Sequence, residues 1–170
     1  MYPNAYIEYL LHFHTDRDYF ECHEILEEHW KNDEKKQVWV ALIQIAVALY
    51  HHRRGNVLGA KRMMQKAIAL VEQEKEAIEQ LGLDYAELLP LLKRYIEQID
   101  KGERYESICL PIADETLMQT CQTICKQRRL VWGNKSDLDN EFLLHKHALR
   151  DRSDVLAARK EKKKKGMPNS

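Results

Sequence analysis

An all-α bundle of five or six helices, with a further polar helix at the C-terminus, is predicted by three features of this sequence. Helix breakers are few, with 6 Gly and 4 Pro among 170 residues, and most of the glycines fall between apolar-periodic stretches. Apolar residues recur at spacings of three and four along most of the chain. Asp and Asn stand at the starts of these stretches and Gly at several of their ends, as caps should. A body over residues 1–133 and a charged helix with a basic tail over 134–170 make up the expected organisation.

Pro3 suits a first helical turn, so helix one is expected from Pro3 to His14. Asp16 or Asp18 can cap a second helix, Arg17 to Lys31, which stops at the turn pair Asn32-Asp33. The third, Glu34 to Arg54, is apolar on nearly every side between Val38 and Leu49, which marks a central helix packed on several faces. Gly55 closes it and Asn56 caps a fourth helix, Val57 to Leu81. Gly82 and Asp84 separate that helix from a fifth, Tyr85 to Asp100, in which Pro90 falls among the early turns. Tyr105 to Ile112 fits neither period and is expected to be extended; Asp114 then starts a sixth helix to Gln127. Beyond the break at Gly133-Asn134, a polar helix is expected from Asp137 to about Lys163.

Formal charge is zero overall, so no whole-protein field draws in nucleic acid or membrane. Its distribution is uneven. Lys146 to Lys165 carries nine Lys/Arg against three Asp/Glu, leaving an acidic body and a basic end. The basic end lacks interleaved aromatics, which argues against specific nucleic-acid binding. The longest apolar run, Val38 to Tyr50, is too short for a bilayer, and no secretory leader pattern opens the chain. Four cysteines at uninformative spacings suit a reduced cytoplasmic protein, and Cys121 and Cys125, one turn apart, read as buried small side chains. A protein partner or a second copy is the expected binding partner.

The sharpest functional lead is FECHEILEEHW, Phe20 to Trp30. On a helical projection centred on His23, the residues Tyr19, Phe20, Leu26, Glu27 and Trp30 all fall within roughly 60°. His23 and Glu27 are therefore expected at the centre of the buried stripe, where a carboxylate needs a partner. On the third helix Gln44 and His51 share a face lined with alanines. Antiparallel packing would bring His23 toward His51 and Glu27 toward Gln44. Two functions are open to such a cluster. The favoured one is a structural hydrogen-bond network inside a non-enzymatic binding or scaffold protein. The alternative is a metal-dependent enzyme, a hydrolase or an oxygenase, with a divalent transition metal such as Zn, Fe or Mn on His23, Glu27 and His51, and Glu24, Gln44, Trp30 and Asn56 around it. A zinc-protease helix is excluded, because Glu27 stands where H-E-x-x-H needs its second histidine.

Three linked motifs run through this region: H-E-x-x-E-x-x-W at His23, Glu24, Glu27 and Trp30; L-I-Q-x-A at Leu42 to Ala46; and a histidine, His51, before G-N-x-x-G-A at Gly55, Asn56, Gly59 and Ala60. Together they resemble the bacterial and archaeal family known as domain of unknown function 309, over about residues 13–70. The resemblance implies an all-helical bundle in a cytoplasmic protein and implies no reaction.

Overall fold

The computed structural model describes residues 1–138, and the predicted C-terminal helix and basic tail lie almost wholly outside them. Seven helices order the described residues: α1 Asn4–His14, α2 Tyr19–Asn32, α3 Gln37–Arg53, α4 Val57–Gln73, α5 Lys75–Gln80, α6 Tyr85–Asp100 and α7 Glu115–Arg128. None of them is long and apolar enough to cross a membrane.

Four starts are set by one device. The side-chain oxygens of Asp18, Asn56, Asp84 and Asp114 accept from backbone N–H groups two or three residues on, at 3.0–3.1 Å, satisfying donors that the helix itself leaves open. Pro90 lies within α6 without ending it. Three expected boundaries moved, the first being that α2 starts at Tyr19 and not at Arg17, whose φ is +57°. Residues 34 and 35 adopt left-handed backbone angles, φ +55° and +52°, so α3 starts three residues later than its periodicity suggested. The helix expected to run unbroken from Val57 to Leu81 stops at Glu74, and α5 follows as a separate short helix that buries Ile78. This break makes seven helices where five or six were expected.

α3 lies between α2 and α4, with α1 against α2, α6 against α4 and α7 against α1. Its burial explains its composition: Ala41, Leu42, Ile45, Ala46, Ala48 and Leu49 have no exposed surface, and the fully buried alanines admit close neighbours. Tyr6 and Tyr9 of α1 are wholly buried as well, yet each hydroxyl finds a carbonyl, that of Leu81 at 2.8 Å and that of Leu42 at 2.7 Å. Tyr105 to Ile112, expected to be extended, lies in a stretch without helix over residues 103–113. This stretch pairs through an isolated antiparallel bridge between Leu83 and Ile112 and through Asp84 N–H to Pro111 C=O at 2.9 Å. After α7 the chain returns along the body: Gly133 N–H donates to His14 C=O at 2.7 Å, and Trp132 stacks on the His14 ring at 4.1 Å.

Candidate functional site

α2 buries Tyr19, Phe20, Cys22 and Leu26. The centre of that set lies about 45° from His23 around the helix, on the Cys22–Leu26 side. His23 and Glu27 accordingly stand at the edge of the α2–α3 seam, not within it. Their side chains are 34% and 39% exposed, which corrects the expectation of a buried His/Glu/Gln network. His23 Nε2 lies 2.9 Å from Glu27 Oε2, and its Nδ1 lies 3.6 Å from Glu24 Oε1, so one imidazole sits between two carboxylates. One potential ligand atom from each of His23, Glu24 and Glu27 falls within 4.8 Å of the other two.

His51 is not part of that group, so the ligand set His23, Glu27 and His51 expected from the sequence does not close. Instead, His51 Nδ1 stands 3.3 Å from the side-chain amide nitrogen of Asn56, at the far end of α3. Gln44 also lacks its expected bond to Glu27, and its Oε1 is covered yet has no hydrogen-bond donor. Phe20 packs on Tyr50 and His29 on Trp39, with ring centres 6.3 and 4.8 Å apart, which fixes the antiparallel register. In this register Gln44 is level with the turn between His23 and Glu27. It belongs to the half-exposed row Val40, Gln44, Val47 and His51, which follows helical spacing along α3. Trp30, a turn further along α2, likewise keeps a covered indole N–H without an acceptor.

The last motif is a turn device. Gly55 takes φ +88°, open to glycine at little cost. Asn56 Oδ1 accepts from Gly59 N–H at 3.0 Å, and Ala60 is fully buried against the core. A Cβ on Gly59 would come within 2.6 Å of Asn56 Nδ2. Gly59→Ala is therefore expected to displace the cap and cost about 1 kcal/mol, the usual loss of a capping side chain; urea denaturation would check it, and an unchanged midpoint would show that Asn56 simply moves aside.

Sequence reasoning missed a second polar cluster. Arg17 is 1% exposed; its Nε donates to Asn134 C=O at 2.7 Å, its Nη1 to Ile108 C=O, and its Nη2 to Cys109 Sγ at 3.7 Å. Arg53, in the last turn of α3, is buried with its guanidinium 4.6 Å from the Tyr19 ring, and it donates to Arg17 C=O at 2.7 Å. Tyr105 bonds Tyr19, Ser107 and Ser136. His52 lies between Tyr95 Oη at 2.5 Å and Glu103 C=O at 2.9 Å, and burial lowers its pKa. No local signal marks Arg17, His52 or Arg53, since the hydrogen-bond partners named for them stand at least 36 positions away in the chain. Cys121 and Cys125 are buried as expected, and burial pushes the Cys121 thiol up to about 11, away from reactivity.

Taken together, fold and site define an all-α protein with a half-exposed His–carboxylate group on α2 and a glycine–asparagine cap joining α3 to α4. The chain belongs to the family described as Domain of unknown function (DUF309), whose model matches residues 6–63. It is 53% identical, over 94% of this chain and 93% of the relative, to the "Uncharacterized protein YpuF" of Bacillus subtilis (strain 168). No solved structure matches it. The family match starts seven residues before the stretch recognised from motifs and so takes in the buried tyrosines of α1.

Proposed function

We propose that this is a non-enzymatic binding protein that associates with a second copy of itself through the first turn of α4. The observation that carries this reading is the exposure of Val57 and Leu58, 49% and 62%, side by side on the surface. The Asn56 cap holds the two residues between itself and Gly59, so the motif that shapes the turn also presents them. Apolar side chains displayed together favour a contact that removes them from water. Arg54 and the exposed Arg62 flank the pair, while the exposed Glu28 stands elsewhere on the surface, so one copy offers both signs of charge to another. Four free thiols suit a reducing, cytoplasmic setting for such a protein.

Sedimentation velocity on the full chain over a wide concentration range tests this. The weight-average mass of the wild-type chain is expected to climb above the 20.2 kDa of one chain, and that of the double variant Val57→Ser/Leu58→Ser to remain at 20.2 kDa. A wild-type chain that remains monomeric throughout, or a double variant that associates equally well, would overturn the reading.

A further inference from the structure

The geometry points to a divalent-transition-metal site on α2 formed by His23, Glu24 and Glu27. The spacing i, i+1, i+4 puts one imidazole and two carboxylates on adjoining turns, and their nearest atoms already approach within 2.9 and 3.6 Å. The 2.9 Å between His23 Nε2 and Glu27 Oε2 is close to the separation of about 3.0–3.4 Å between neighbouring ligands that metal–ligand bonds of about 2.0–2.1 Å impose, and one potential ligand atom from each of the three residues lies within 4.8 Å of the other two. Nε2 faces Glu27 while Nδ1 faces Glu24, so closure on one ion requires a turn of the Glu24 side chain. At 41% exposure this carboxylate has room to make it.

The donor set and its charge both suit such an ion. One neutral imidazole with two carboxylates matches the borderline preferences of Zn and Mn, and two negative charges balance a dication. An ion can enter from solvent, because all three side chains are half-exposed. A second observation comes from the neighbouring helix: Gln44 Oε1 is covered and lacks any donor, and the Phe20–Tyr50 and His29–Trp39 contacts set Gln44 level along the helix axis with this turn of α2. Water bound to the ion would supply the missing donor, as outer groups around metal sites commonly require. An ion pair alone explains His23 with Glu27 but leaves Gln44 Oε1 without a partner.

The test is isothermal calorimetry of the untagged full chain, freed of metal by chelator and titrated with zinc chloride and then manganese chloride. One equivalent is expected to bind with proton release, read as a heat that depends on the buffer. His23→Ala and the isosteric Glu27→Gln should each weaken binding about tenfold or more with an unchanged circular dichroism spectrum, whereas His12→Ala should leave it unaltered. Absence of binding by the wild-type chain overturns the proposal. So does stoichiometric binding that survives both variants, which would place the ion elsewhere. This inference is independent of self-association: the calorimetry concerns α2, the sedimentation test concerns α4, and either can fail without the other.

Discussion

Lowering the pH from about 6.5 to about 4.5 is expected to cost the folded chain about 2 kcal/mol through His14 alone. His14 has no exposed surface. Its Nε2 accepts from the Leu110 backbone N–H at 2.9 Å, so Nδ1 carries the proton and donates to Leu10 C=O at 2.7 Å. That arrangement defines a single neutral tautomer, and a second proton on Nε2 would oppose the Leu110 donor. Burial pushes the ring from its ordinary value of 6.5 down to about 3; the nearby Arg17 charge adds to the shift and the bond to Leu10 opposes it.

The sign follows from proton counts. Below 6.5 the unfolded chain takes up a proton that the folded chain refuses until about 3, so stability falls as pH falls across that window. The slope approaches about 1.4 kcal/mol per pH unit, and the accumulated loss nears about 5 kcal/mol at its lower end. His52, also lowered by burial, acts in the same direction. Urea unfolding at a series of pH values reads the slope directly. His14→Gln should flatten it, and identical slopes in variant and wild type would show that His14 does not govern acid stability.

Replacing Arg17 is expected to destabilise the chain by about 3 kcal/mol or more, because the guanidinium, itself only 1% exposed, donates to three partners and has little contact with water. Two of those partners are backbone carbonyls, of Ile108 and Asn134, which hold the 103–113 stretch and the chain after α7 against α1 and α2. The fork geometry matters as much as the charge. Arg17→Lys keeps a cation but cannot reach three divergent acceptors from one nitrogen, so it should lose nearly as much as Arg17→Met. Arg17 also holds a left-handed backbone, φ +57°, a cost its side-chain bonds offset. Urea denaturation of both variants checks the expectation, and a lysine variant within about 0.5 kcal/mol of wild type would refute the role of the fork.

Features set by near neighbours were legible in the sequence. Asp18, Asn56, Asp84 and Asp114 cap helices as expected, because a cap is completed within three residues. The bounds of α6 and the helix-free stretch 103–113 follow from the same kind of local signal. Glu74 carries no such signal, and the helix nevertheless stops there. The candidate site was half legible. Periodicity placed His23 and Glu27 on one face of α2, but it weighted Phe20 and Trp30 too heavily and Cys22 too lightly, and so it turned the buried face toward them. Glu24, assigned to a supporting position, proved to be the third member of the group, and His51 was drawn off to Asn56.

The sequence by itself determined an all-helical chain, its capped starts, a central α3 and the family to which it belongs. Tertiary structure alone decided which polar groups are buried. His14, Arg17, His52 and Arg53 look like surface residues when read locally, and each lies in the interior. The physical reason is that a polar group can leave water only where partners meet it. Here those partners are Leu110, Ile108, Asn134, Glu103 and Tyr95, brought from distant segments by the packing of helices that periodicity could place only one at a time.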